Sequence, residues 1–320
     1  MEYIINNSLD PHFNLALEEY LFNLDNEQQY FWLWQNDNTI VIGKNQNAFN
    51  EINTDFVKKN NIKVARRITG GGAVYHDLGN LNFSFVTPSF GKKECDFKRF
   101  TAQIAAALEN FGLKAEYSGR NDLLINDKKF SGNAQFVGKT KILHHGTLLF
   151  SSNLDIIEKC LTPPTEKLKS HGVSSVKSRV TNISEHLKIN LMDFKNSLTA
   201  QICENTRSLT NDEIKAVKRL SDIKFSTYEW IYGSSPGFNY SKTLRFDGCG
   251  TINLCLDLKS GVIENCKITG DFFGSGDVFD IEEALKFKLF EKENILDVIG
   301  GFDLSHYFGR LDVADFLLLF

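Results

Sequence analysis

The chain has 320 residues, 42% of them hydrophobic and 24% charged, with a formal net charge of -4. That balance excludes a disordered tail and a disulfide-dense miniprotein, and its slight acidity leaves no overall electrostatic footprint for nucleic acid. The length suits one large domain or two ordinary ones. Six cysteines occur without a C-x-x-C pair, and the start Met1-Glu2-Tyr3-Ile4-Ile5 carries no basic, apolar leader, so a reducing, cytoplasmic setting is expected. No stretch has the roughly 18 uninterrupted apolar residues of a membrane span.

Taken in chain order, Asp10-Pro11 offers an N-cap with proline in the first turn, and Phe13, Leu17, Tyr20, Leu21 and Leu24 recur at helical spacing. A hairpin is expected next: Tyr30–Gln35, a turn at Asn36-Asp37-Asn38, and a return along Thr39–Gly43. Ile62–Arg66 reads as a strand that leads into a glycine loop. Leu81, Phe83 and Phe85 alternate with Asn82 and Ser84, the pattern of a half-buried strand. Phe97, Phe100, Ile104, Leu108 and Phe111 mark a second helix that stops at Gly112. Short strands fill 113–150, turning at Asn126-Asp127 and Val137-Gly138. Asp193–Glu204 and Asn211–Leu220 look helical, and Gly233-Ser234-Ser235-Pro236-Gly237 then interrupts the pattern. Beyond it Ile252, Leu254, Leu256 and Leu258 alternate with polar residues, Val262–Ile268 answers, and helical segments follow from Asp280. Strands and helices come in runs rather than strict alternation, which argues an α+β fold. The reading gives a large domain over 1–240 and a small α+β domain over 241–320.

The densest chemical signal is Arg66-Arg67-Ile68-Thr69-Gly70-Gly71-Gly72-Ala73-Val74-Tyr75-His76-Asp77. Three consecutive glycines admit close backbone approach and positive φ, and their N–H groups can form an anion-binding nest. A dinucleotide fingerprint fails because Tyr75 stands where its third glycine belongs. A Walker loop also fails: five residues, not four, separate Gly132 from Gly138-Lys139-Thr140. Further polar clusters lie at Gly119-Arg120-Asn121-Asp122, at Lys129-Phe130-Ser131-Gly132-Asn133, at His144-His145-Gly146-Thr147 and at Ser174–Asn182. Adjacent histidines in a strand point to opposite faces, so at most one of His144 and His145 faces a given site. The residues alone indicate an α+β enzyme with an anion-binding glycine loop.

Together these clusters resemble the lipoate–protein ligase family. The resemblance begins at Asp10–Glu19, runs through Leu33-Trp34-Gln35-Asn36 and the glycine loop with His76-Asp77-Leu78-Gly79-Asn80, and continues in family order through the later clusters to Trp230–Pro236. It implies a biotin/lipoate ligase-like α+β catalytic domain with mixed and antiparallel sheets, plus a small accessory domain. It implies activation of lipoate by ATP with Mg²⁺ to lipoyl-AMP, then transfer of the lipoyl group to a lysine of a lipoyl-acceptor protein. The acceptors it implies are 2-oxoacid dehydrogenase acyltransferase subunits or the glycine-cleavage H protein.

By the same resemblance Lys129 is the catalytic cation between carboxylate and α-phosphate. Arg67, Gly72, Ala73, Val74, Tyr75, Asn121, Asp122, Ser178 and Arg179, with Lys129, would hold the nucleotide. Trp34, Arg66, Gly71, Gly72, His76, Ser131 and His145, again with Lys129, would hold lipoate. Asn121 and Asp122 are the candidate Mg²⁺ ligands. Two readings compete: an ATP-independent octanoyl or lipoyl transferase working through a cysteine thioester, and a non-catalytic lipoate-binding paralogue. Ile142 and Leu143 stand where one transferase branch places its cysteine, which favours the ligase.

Overall fold

The structure is a computed structural model that describes residues 1–91, 95–118, 121–161, 179–232, 240–259 and 261–320. An eight-stranded sheet, two three-stranded sheets and a set of short helices make it a mixed α+β protein. The large sheet runs in the order β11 (Asn205–Ser208), β1 (Glu2–Ile5), β2 (Tyr30–Trp34), β6 (Asn80–Pro88), β10 (Lys141–Leu149), β9 (Lys128–Val137), β8 (Asp122–Ile125), β7 (Glu116–Ser118). From β2 to β7 it is antiparallel; β1 pairs in parallel with β2 and β11. A smaller sheet holds β3 (Thr39–Ile42) between β4 (Lys63–Arg66) and β5 (Val74–His76).

The first helix, α1 (Pro11–Asn23), starts as its sequence predicts: the Asp10 side chain accepts from the His12 N–H, with Pro11 in the first turn. Its buried face is not purely apolar. Leu15, Leu17 and Leu21 enter the main core, while Asn14 and Glu18, four residues apart and therefore stacked on one face, are fully buried polar groups.

The expected hairpin does not form. β2 and β3 are consecutive in sequence but belong to different sheets, with the Gln35–Asn38 link crossing between them. All five residues of β2 and all four of β3 are buried, so each strand is flanked on both edges by other partners. The link turns on Asn38 at φ 44°. A second correction concerns β6. Its polar residues Asn82 and Ser84 are as buried as Phe83 and Phe85, because α1 and the site cover that face. The β8–β9 hairpin does follow its turn signal, with Asn126 and Asp127 both at positive φ.

Residues 240–320 form a sheet of β12 (Tyr240–Phe246), β13 (Gly250–Lys259) and β14 (Val262–Gly270), covered by four short helices. They enclose a separate apolar core that includes Ile252, Leu254, Phe272, Phe308 and Phe316. The final Phe316–Phe320 segment packs into that core as a last turn. The Gly233–Gly237 interruption lies outside the described residues. A loop of this unit touches the large sheet's unit at the glycine loop: the Gly270 N–H donates to Asn45 O (2.8 Å), the Gly71 N–H to Phe272 O (3.3 Å), and Lys44 Nζ lies 3.1 Å from Asp277 Oδ2.

Candidate active site

Strand register sets the frame of the site. Trp34 on β2 pairs with Asn82 on β6, and Asn82 pairs with Thr147 on β10. The Gly132 N–H on β9 donates to Thr147 Oγ1 at 3.2 Å, and Gly132 pairs with Asp122 on β8. Trp34 and Gly132 thus stand three strand spacings apart, roughly 14 Å at about 4.8 Å per strand. A single cavity lies along this row. Lys129 and Asn121 line one end, Trp34 and Leu15 the other, and the glycine loop from Gly71 to Val74 forms a wall.

At the cationic end, Lys129 Nζ lies 2.8 Å from Asp122 Oδ1. The ammonium folds back over Gly132. A Cβ built on Gly132 would sit 3.0 Å from Nζ and 3.1 Å from Cε, so the glycine makes the space that the lysine uses. The backbone of Lys129 is tied from the other side: its carbonyl accepts from the Thr181 N–H (2.9 Å), and it bridges Val180 in parallel. Asn121 is locked to Asn133. Its amide donates to Asn133 O (2.6 Å), and Asn121 O accepts from the Asn133 N–H (3.0 Å) and side chain (2.9 Å).

The glycine loop turns on Gly71 at φ 92°, where a side chain would be strained and its Cβ would lie 2.7 Å from the Phe273 ring. Arg67 holds the loop from inside. It donates through Nη2 to Gly70 O (2.7 Å) and Gly72 O (2.8 Å), and through Nε to Thr69 Oγ1 (3.0 Å). Burial pulls its guanidinium down to about 10, with Glu18 opposing the shift, so it stays charged at neutral pH.

The other end is walled by aromatic and histidine rings. His76 meets Trp34 edge-on (6.1 Å between centroids), and its Nδ1 lies 3.1 Å from Asn36 Nδ2. Burial, with the charges of Arg67 and His145 behind it, pushes His76 down to about 3, which leaves the ring neutral. His145 and His144 occupy opposite faces, as the pleat requires. His145 faces the cavity. His144 is buried among Phe100, Phe83 and Phe97, held between Gln135 Nε2 and Asn133 Oδ1, and driven well below the usual range by burial and then by His145.

The structure therefore brings Trp34, Arg67, Gly71, Gly72, Ala73 and Val74 to one cavity, together with His76, Asn121, Lys129 and His145; Asp122 reaches it through Lys129. It does not bring Arg66 there. Arg66 is 2% exposed and donates to the carbonyls of Gly43, Lys44, Gln46, Trp230 and Ile231, so it is a staple of the fold. Tyr75 turns away from Val74 and His76 into the small sheet's core, its hydroxyl on Asn38. Ser131 is buried off the cavity, 3.3 Å from Asn133 Nδ2. Arg179 is exposed and does not line the cavity, and Ser178 lies outside the described residues. Sequence reasoning gave no role to Asn82, Asn133 or Thr147 and missed Phe273. Asn133 and Thr147 close recognised clusters, and Asn82 lies two residues beyond another. Phe273 arrives from the far unit, packs on Phe97 (5.3 Å), and had no local signal. Among the described residues no group of three or more acidic, histidine or cysteine side chains could hold a metal, and no helix is long and apolar enough to cross a membrane.

A lysine on the large sheet and a triglycine loop from the small sheet lining one cavity mark an α+β protein with an anion-binding site, and the sequence places it in a ligase class. Residues 10–203 match the lipoyl protein ligase A/B catalytic domain and residues 235–320 the bacterial lipoate protein ligase C-terminus, so the chain belongs to the lipoate–protein ligase family. It is 45% identical to lipoate-protein ligase LplJ of Bacillus subtilis, with 99% of both chains covered. It is 41% identical to lipoate–protein ligase 1 of Staphylococcus aureus, covering 100% of this chain and 99% of the relative. Among solved structures it superposes on LipL1 of P. falciparum in complex with lipoate (TM-score 0.78, 27% identity, 95% and 94% of the two chains). It also superposes on a lipoate-protein ligase A bound with ATP (TM-score 0.62, 27% identity, 72% of this chain and 98% of that one).

Proposed function

We propose that this protein activates lipoate with ATP·Mg²⁺ to lipoyl-AMP and passes the lipoyl group to a lysine of an acceptor domain. The observation that carries the reading is that the Lys129 ammonium and the Gly71–Val74 backbone line one cavity. In the first step a lipoate carboxylate oxygen attacks the α-phosphorus and the bond to pyrophosphate breaks. A carboxylate is already ionised at neutral pH and needs no base. The obstacle is the approach of two anions, which preorganised positive charge relieves most effectively where charge builds up. Lys129 supplies that charge, on a strand whose backbone is pinned on both sides.

The loop from Gly72 to Val74 and Asn121 face the nucleotide, and Arg67 acts on it by fixing the loop. Asp122 steers the Lys129 ammonium and is the candidate protein ligand of the Mg²⁺ that arrives with ATP. The acyl chain runs from Lys129 along the Asn82–Thr147 row to Trp34, His76 and His145. In the second step the acceptor lysine amine attacks the acyl carbonyl, loses a proton, and AMP departs. The acceptors are lipoyl domains of 2-oxoacid dehydrogenase acyltransferases or the glycine-cleavage H protein; a bi-partite lipoate protein ligase from Thermoplasma acidophilum, studied with its E2 lipoyl domain, is a structural neighbour (TM-score 0.65, 28% identity). The chain divides near residue 240 into a catalytic unit and an accessory unit, in keeping with the separate apolar core that residues from Cys249 onward enclose.

A thioester route finds no nucleophile here. None of the six cysteines lines the cavity, and burial raises the Cys160 thiol to about 12 and that of Cys203 to about 11. The test is pyrophosphate release from ATP. It should require lipoate and Mg²⁺, and release that is indifferent to lipoate would overturn the proposal.

A further inference from the structure

Three side chains that line the cavity converge on one residue that does not. Glu18, on α1, is 0% exposed, and its side chain lies behind the wall. Its Oε1 accepts the Ser84 hydroxyl at 2.6 Å, and Ser84 Oγ in turn accepts the Trp34 indole N–H at 2.8 Å. Both carboxylate oxygens face His145 Nδ1, at 2.8 and 3.0 Å. On the far side of the ring, His145 Nε2 lies 2.8 Å from Thr69 Oγ1, which accepts Arg67 Nε at 3.0 Å.

Donor logic fixes the direction of the bonds that meet Glu18 and of those from Trp34 and Arg67. A carboxylate only accepts, so the Ser84 proton points to Glu18 and His145 carries its proton on Nδ1. An indole and a guanidinium only donate, so Trp34 and Arg67 stand at the two ends. The chain reads Trp34 to Ser84 to Glu18 from one side, and His145 to Glu18 from the other. Thr69 joins His145 to Arg67. A buried carboxylate is costly unless its lone pairs are met, and removing its charge leaves several neighbours oriented wrongly at once.

We propose that Glu18 is a positioning residue: its buried carboxylate sets the ring orientation of His145 and, through Ser84 and Thr69, the placement of Trp34 at the acyl end and of Arg67 under the glycine loop. This rests on the assignment of the cavity to lipoate and ATP. Through one hydrogen-bonded chain the carboxylate joins the acyl end to the glycine loop. Glu18→Gln keeps the shape but presents an NH₂ group either to Ser84 or to His145. An NH₂ facing His145 drives the ring proton from Nδ1 to Nε2, one facing Ser84 turns the hydroxyl away from Glu18, and in either case the charge that orients both is lost.

The experiment reads the two subsites separately. Steady-state KM values for lipoate and ATP are measured on the whole protein for native, Glu18→Gln, Ser84→Ala and Thr69→Val, beside a proton NMR search for the His145 Nδ1–H signal. Loss of one charge-assisted hydrogen bond at each branch predicts about a tenfold rise in both KM values for Glu18→Gln. Ser84→Ala should raise the lipoate KM alone, and Thr69→Val, which also frees His145 Nε2, should raise the ATP KM more than the lipoate KM. A downfield Nδ1–H resonance should be present in the native protein and absent or moved upfield in Glu18→Gln, where the charge-assisted bond is lost. Native constants and an unmoved resonance in Glu18→Gln overturn the proposal, and so do equal shifts of both KM values in the two branch variants. If Glu18→Gln does not fold, the branch variants decide. A native protein that uses neither substrate refutes the site assignment instead, so the two failures are distinguishable.

Discussion

The two ends of the cavity are built on opposite principles. The acyl and loop end is buried and wired: His76 is 3% exposed, Arg67 5%, and every ring or guanidinium there has polar neighbours fixed by other elements. The Lys129 end is open. Its side chain is 40% exposed and meets one carboxylate, Asp122, itself 33% exposed. An ion pair so placed contributes little to stability. The contrast teaches a division of labour. The end that must recognise a shape is buried and hydrogen-bonded, and the end that must meet changing charges keeps an exposed cation on a pinned strand.

Substitutions at the open end should therefore cost rate and not fold. Lys129→Ala is expected to slow lipoate-dependent pyrophosphate release by roughly 10²–10³-fold with an unchanged melting temperature. Near-native release from that variant would break the comparison. Gly132→Ala sharpens it, because the new methyl would press on the far end of the Lys129 side chain. An ammonium displaced by about 1 Å should lose up to about 10²-fold in rate while the protein still folds, read by the same release assay and by circular dichroism. The reverse signature belongs to Arg66, one residue from the cavity wall. Arg66→Met strands buried carbonyls in two segments, and should lower the unfolding free energy in urea by about 3 kcal/mol.

The smallest effect is a pH slope. Burial holds His76 at about 3 and His144 well below its ordinary range, against about 6.5 in the unfolded chain. Between those values the unfolded state binds protons that the native state refuses, so stability falls as pH drops from about 6.5 toward 3. Urea midpoints should decline over that window, and His144→Phe, which removes a group from inside the Phe100–Phe83 stack, should flatten the decline. An unaltered slope would mean that His144 is not held neutral.

Much of this was legible in the sequence, and the exceptions share a cause. The cap of α1, the Asn126-Asp127 turn and the opposed faces of His144 and His145 are local consequences of backbone geometry and could be read residue by residue. The glycine loop and Lys129 were legible as motifs. The hairpin expected over Tyr30–Gly43 does not form because alternation and turn residues say where a chain bends, not which strand it will meet. Arg66 and Arg67 look equivalent in sequence, yet β4 ends between them, and one enters the fold while the other enters the cavity wall. The polar face of β6 was read as solvated because nothing local announces that Glu18 covers it. Phe273 stands about two hundred residues from the loop it touches.

The most direct test is the intact mass of an isolated lipoyl domain after incubation with this protein, lipoate and ATP·Mg²⁺. A cation and a glycine nest sharing one cavity predict a gain of one lipoyl group that disappears when ATP is omitted or when Lys129 is replaced by Ala. A gain that persists without ATP, or that survives the loss of Lys129, would contradict the account.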